Sequence, residues 1–149
     1  MKIKLIFHYI SYLQYPLMII AIYFVLKPYF NGFENTEAIL KDLNSMLVFM
    51  GLGISFSTLQ DTTKTQNKMS EKIWKNPKKG KLAILSILFL TIFLLIIGLV
   101  GYFSVNDSKL KDLSIGIIIL GIGLIGMLKT AVEMFENYRN DKNTTANTV

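Results

Sequence analysis

The chain has no cysteine and only one histidine among its 149 residues. The absence of cysteine excludes disulfides, thiolate catalysis and zinc sites with cysteine ligands. A single histidine also excludes metal sites built from several histidines. We therefore predict that the protein holds no metal and no other cofactor.

Common catalytic and nucleotide-binding motifs are missing as well. The sequence contains no GxSxG and no HExxH motif. The basic stretch at 76–81 lacks the glycine spacing and the GK[ST] ending of a phosphate-binding loop. We therefore predict that the protein is not an enzyme, and a membrane enzyme ranks third among the functional hypotheses.

Long apolar runs are what the sequence does have. Residues 82–105 contain no charged side chain, and as an α-helix they would be about 36 Å long. That length crosses a hydrocarbon core of about 30 Å. A helix at the surface of a soluble domain would show a polar face, and this run shows none. It is predicted to span a membrane.

Three further apolar segments, at 3–26, 42–60 and 113–135, complete the predicted architecture. The fold class is an all-α integral membrane protein with four transmembrane helices over residues 1–135 and a polar tail at 136–149. The lipid bilayer is then the first predicted partner. A version with three spans, in which the first segment lies on the membrane surface, is the structural alternative.

Proline and aspartate residues predict where the spans bend and begin. Pro16 should kink the first span and Pro28 should end it. Asp42 and Asp112 suit helix amino termini, where a carboxylate meets the positive end of the helix dipole.

The formal net charge of +6 is concentrated in the loop at 61–81, which has seven lysines against two acidic residues. The positive-inside rule places this loop and both termini in the cytoplasm. A composition rich in lysine and isoleucine is typical of bacteria, so we predict a bacterial plasma (inner) membrane. Because retention in the cytoplasm explains the lysines, no nucleic-acid partner is predicted.

Part of this loop is predicted to form a short helix at the membrane surface. Met69, Ile73 and Trp74 are spaced to lie along one side of it, and the Asn76–Pro77 pair should stop it. Tryptophan at headgroup level with lysines around it is typical of an interfacial helix. The predicted anchors are Trp74, Lys72 and Lys75.

An internal repeat is visible at an offset of 70 residues. The sequence LKDL at 40–43 recurs at 110–113, and Gly-x-Gly at 51–53 recurs at 121–123. One interpretation is a duplicated two-helix hairpin, whose two copies would be parallel and related by an axis along the membrane normal. Coincidence in a limited set of residue types is the other, and we weigh the two equally.

A stripe of small and polar residues runs along the second span. Asn44, Gly51, Ser55 and Thr58 repeat at helical spacings and should face protein or water, because their polar groups need partners in lipid. We favour contact between helices as its purpose. A polar path through a pore is the alternative.

Two other groups of polar side chains are candidate sites. Lys129 and Glu133 lie one helical turn apart and form either an ion pathway or, as we favour, an interfacial pair. His8, Tyr12 and Tyr15 share one helix face and form either a proton relay or, again favoured, part of an aromatic belt.

These observations favour a non-enzymatic multi-pass membrane protein, a scaffold or accessory subunit that packs through glycine-rich and small-polar helix faces. Its predicted partner is a second copy of the chain or another membrane protein. The glycine-rich faces, the basic loop and an expected lack of buried ionic groups support this hypothesis. The alternative is a small oligomeric channel or transporter with a polar path along the second span.

Overall fold

The structure, a computed structural model, describes residues 3–63 and 68–141, with the backbone alone at residues 3 and 4. These residues form six α-helices and no strand, which confirms the all-α class. The helices are α1 (Ile3–Ser11), α2 (Gln14–Asn31), α3 (Thr36–Ser57), α4 (Lys68–Lys75), α5 (Pro77–Ser104) and α6 (Ser108–Tyr138). Most of the predicted polar tail and four residues of the predicted basic loop lie outside the described residues.

Four helical segments of the described chain are long and apolar enough to cross a membrane. They are Leu5–Asn31, which joins α1 to α2, and the helices α3, α5 and α6. The third segment, α5, has the highest hydropathy and α3 has the lowest. The chain therefore has the composition and helix lengths of a multi-pass membrane protein.

Apolar side chains cover the outside of the bundle rather than its inside. Ile19 on α2 and Phe89 and Phe103 on α5 are 67%, 72% and 78% exposed. The buried apolar side chains of the described residues are only Ala21, Leu120, Leu124, Ala131 and Phe135. So large an exposed apolar surface is unfavourable in water and suits lipid.

The long helices pack side by side in the order α2, α3, α6, α5. The hairpins α2–α3 and α5–α6 are antiparallel, and α3 and α6 form the centre of the row. The short helix α4 packs against α5 and α6 at one end of the bundle. We call this end the α4 end, and the end that carries the turn at 32–35 the turn end.

The first predicted span is interrupted close to Pro16, where a kink was predicted. Helix α1 ends at Ser11 and α2 begins at Gln14, because Pro16 has no N–H to donate to the carbonyl of Tyr12. Between the two helices, the N–H groups of Tyr12 and Leu13 donate to the carbonyls three rather than four residues earlier, at 3.1 and 3.0 Å. Tight turns of this kind commonly join two helical segments.

The prediction that Pro28 ends the first span is wrong. Helix α2 continues through Pro28 to Asn31, and its C-cap is Gly32 with φ +82°. Proline removes only one hydrogen-bond donor and has a helical φ, so the last turn of α2 accommodates it. Glycine ends the helix because it adopts positive φ without a steric penalty.

Asp42 and Asp112 are not at helix amino termini, so that prediction is also wrong. Helix α3 begins at Thr36, capped by Asn35, whose Oδ1 accepts a hydrogen bond from the Ala38 N–H at 3.1 Å. Helix α6 begins at Ser108 and is capped by Asp107. The helices extend beyond the apolar runs because polar residues just outside those runs supply the caps.

Candidate functional site

Two of the long helices approach each other closely at the α3–α6 interface. A Cβ atom added to Gly51 would lie 2.8 Å from the carbonyl oxygen of Ile119 and 2.8 Å from the Cα of Leu120. A Cβ atom added to Gly123 would meet the carbonyl of Gly51. The two backbones touch here, and only residues without a side chain allow this contact.

The predicted polar stripe of α3 lies along the same interface. Asn44 packs against Gly116 and Thr58 packs against Gly126. The Thr130 hydroxyl donates to the Gly126 carbonyl at 3.2 Å and also lies 3.4 Å from the carbonyl of Thr58. At these positions the stripe is closed by α6, as expected of a contact between helices.

The hydroxyl groups of the stripe are satisfied within α3 itself. Ser55 Oγ donates to the Gly51 carbonyl at 2.9 Å, and Thr58 Oγ1 donates to the Ser55 carbonyl at 2.7 Å. Serine and threonine commonly form such bonds to the preceding helical turn. The amide of Asn44 differs from these hydroxyl groups, because its buried Oδ1 has no hydrogen-bond partner among the described residues.

The two Gly-x-Gly pairs do not make equivalent contacts. In α3, Gly51 faces α6 and Gly53 faces α2; in α6, Gly121 faces α5 and Gly123 faces α3. At an offset of 70, Gly51 would correspond to Gly121. Gly51, however, faces the second hairpin (α5–α6), whereas Gly121 faces α5 within its own hairpin. The duplication therefore stays a prediction.

A partly buried ion pair joins α2 to α3, which the sequence did not lead us to expect. Lys27 Nζ donates to Asp42 Oδ1 at 2.6 Å, and the Asp42 side chain is only 8% exposed. The expected lack of buried ionic groups is therefore wrong. The available signal was the short turn at 32–35, since residues at similar distances from it face each other in an antiparallel hairpin.

A cavity of about 620 Å³ at the α4 end brings together two candidate groups that the sequence predicted separately. His8 from α1 lines it together with Lys129 and Glu133 from α6. The Lys129 and Glu133 side chains pair at 3.5 Å, and the lysine is 78% exposed. The Tyr12 hydroxyl lies 3.4 Å from His8 Nε2.

The depth of Lys129 can be judged from a contact between α5 and α6. Phe135 packs against Gly80, next to the first lysines of α5. Lys129 precedes Phe135 by six residues on α6 and therefore lies about 9 Å further from this level, towards the middle of the helix. A lysine at that depth can extend its ammonium group to the headgroup level. This geometry suits an interfacial pair, which stays a prediction.

A second cavity, of about 320 Å³, lies beneath α4. Trp74 and Ser70 line it together with Gln14 of α2 and Ile87 of α5, and Trp74 Nε1 donates to Ser70 Oγ at 2.9 Å. None of the stripe residues Asn44, Gly51, Ser55 and Thr58 lines either cavity. The cavities therefore offer no polar path along the centre of α3.

The orientation of α4 differs from the predicted one. The helix itself is confirmed, and Met69 and Ile73 are exposed on its outer side. Trp74 is half-buried and lines the inner cavity, because it lies about 100° further around the helix than Ile73. The predicted anchors Lys72 and Lys75 are exposed.

Glu71 on α4 should titrate below its ordinary pKa. The hydrogen bond from Lys75, at 2.6 Å, and the positive charges of Lys75 and Lys68 lower the pKa of Glu71 below 4.5. The support that this pair gives to α4 is then present above pH 4.5 and is lost as pH falls through the lowered pKa. A side-chain NMR titration should show this, and Lys75→Gln should raise the pKa. An unchanged pKa in that variant would contradict the pairing.

Within the two described ranges, no group of three or more His, Asp or Glu side chains is placed to hold a metal ion. Comparisons of the chain with protein-family models, with curated proteins and with solved structures found no match. Function is therefore inferred from the geometry of the interface and the cavities.

Proposed function

We propose that this protein is a non-enzymatic multi-pass membrane scaffold or accessory subunit. Its place would be the bacterial plasma membrane, with both termini and the basic loop in the cytoplasm. The observation that supports the scaffold role is the α3–α6 interface, where Asn44, Gly51 and Thr58 are used for packing against α6. Small and polar residues that hold two helices together make a rigid unit in lipid.

The outer helices of the row are the surfaces on which such a scaffold would bind its partner. Helices α2 and α5 each pack mainly against one other long helix, and large apolar side chains such as Phe89 cover their other faces. In the membrane these faces are available to lipid, to a second copy of the chain or to another membrane protein. A homo-oligomer or a hetero-complex formed through α2 or α5 is the proposed assembly.

A small oligomeric channel or transporter is the second candidate. The cavity that holds His8, Lys129 and Glu133 favours it, because ionisable groups near a membrane-spanning helix often mark ion paths. The sealed stripe of α3 argues against it, since a path through the chain would have to continue beyond this cavity.

Ion flux from proteoliposomes separates the two candidates. The scaffold role predicts that vesicles containing the purified protein release K⁺, Cl⁻ and protons no faster than protein-free vesicles. Lys129→Met and Glu133→Gln should not change this result. A protein-dependent flux that either variant reduces would overturn the scaffold proposal and support a channel.

A further inference from the structure

A strongly basic surface lies at the α4 end of the bundle. It consists of five exposed side chains, Lys68, Lys72, Lys78, Lys79 and Lys81, and we call it the lysine surface. None of them forms an ion pair with a carboxylate of the described residues, whereas the neighbouring Lys75 is paired with Glu71. Lys68 lies near enough to Glu71 to help lower the pKa of that carboxyl, but the lysine surface as a whole carries an excess of positive charge.

This surface lies at the level where lipid headgroups meet hydrocarbon. Lys81 directly precedes the uncharged run at 82–105. Helix α4 is held beside the start of α5 by packing against α5 and α6. The Asn140 N–H also donates a hydrogen bond to the Lys75 carbonyl at 3.2 Å. The lysines of α4 are thus presented on an ordered helix rather than on an extended loop.

Apolar side chains accompany the lysines on α4. Met69 is 77% exposed and Ile73 is 38% exposed, both on the outer side of the helix next to Lys68 and Lys72. A helix with a lysine face beside an exposed apolar strip is suited to lie in a membrane interface. Its apolar strip can contact acyl chains while the ammonium groups contact phosphates.

We propose that the lysine surface binds the phosphate groups of anionic phospholipids, with Met69 and Ile73 against their acyl chains. An anionic headgroup supplies a direct counter-ion for these lysines, and each lysine near such a surface adds about fivefold to the affinity. The inference requires membrane insertion, as does the proposed function, but it does not depend on the scaffold role.

The single tryptophan of the chain makes the test direct. Trp74 lies on α4, so brominated lipid bound there should quench its fluorescence. The full-length protein is reconstituted in phosphatidylcholine vesicles that contain brominated phosphatidylglycerol or, in parallel, brominated phosphatidylcholine. We expect a several-fold preference for the anionic lipid that weakens between about 0.05 and about 0.5 M salt. Equal quenching by the two lipids would overturn the proposal, whatever the flux measurement shows.

Two triple variants remove the same number of charges from opposite ends of the bundle. The test variant is K72Q/K78Q/K79Q and the matched control is K41Q/K109Q/K111Q. The test variant should abolish most of the preference, because it removes three of the five lysines that attract the anionic lipid, and the control should keep it. Equal loss in both would assign the effect to net charge and overturn the proposal. Competition by inorganic phosphate or by an RNA oligonucleotide would overturn it too, by assigning the surface to a free anion or to nucleic acid.

Discussion

Gly51→Ala is expected to lower the free energy of unfolding by about 1–3 kcal/mol, the usual result of overpacking. The added methyl group would lie 2.8 Å from the backbone of Ile119 and Leu120, and backbone atoms cannot rotate away as a side chain can. The α3–α6 interface would have to widen along its length. Unfolding in mixed micelles, followed by circular dichroism, measures the change.

Gly53→Ala is the matched control, two residues further along the same helix. The three atoms nearest to its methyl group would all belong to the flexible Met18 side chain, at 3.3–3.4 Å. Alanine also favours a helix over glycine by about 1 kcal/mol. We expect the stability of Gly53→Ala to equal or exceed that of the wild type. Equal losses in the two variants would contradict the assigned α3–α6 contact.

Lys27→Met is expected to lower the free energy of unfolding clearly, because breaking an ion pair with one buried partner leaves that partner's charge uncompensated. The variant leaves the Asp42 carboxylate, 8% exposed, without its partner. Replacing both residues, as Lys27→Met with Asp42→Leu, should recover most of the loss, because an apolar pair can substitute for a buried ionic one. The same micelle unfolding measures both.

The control for this pair is the exposed contact between Lys109 and Glu37 at the same end of the bundle. Lys109→Met should cost less than about 1 kcal/mol, since exposed ion pairs contribute little. If Lys27→Met were as mild as Lys109→Met, the Lys27–Asp42 pair would have no special role in joining α2 to α3.

Hydropathy located all four of the long apolar helices, because a helix that crosses lipid has to be apolar over about 20 residues. It placed their ends less well. Helix α3 begins at Thr36 rather than at residue 42, because Asn35 supplies the cap from outside the apolar run. Similarly, Gly32 rather than Pro28 ends α2, since glycine adopts the positive φ that the turn requires.

The contacts between helices were less predictable than the helices themselves. Gly51 and Gly53 are equally small and look equivalent in the sequence, yet of the two only Gly51 meets the backbone of α6. Which face of a helix meets which neighbour depends on how the helices pack in three dimensions. Lys27 and Asp42 were missed for the same reason, because each was interpreted from its own helix instead of from the hairpin that pairs them.

Single-cysteine labelling tests the membrane topology on which the whole account depends. The chain has no cysteine of its own, and exposed positions are available near the start of α1, in the turn at 32–35 and on α4: Leu5, Phe33 and Met69. In intact cells, a membrane-impermeant maleimide should label Phe33→Cys. It should label Leu5→Cys and Met69→Cys only after the membrane is permeabilised. Labelling of Leu5→Cys in intact cells would leave only three spans, and labelling of Phe33→Cys and Met69→Cys from the same side would contradict the four-span arrangement altogether.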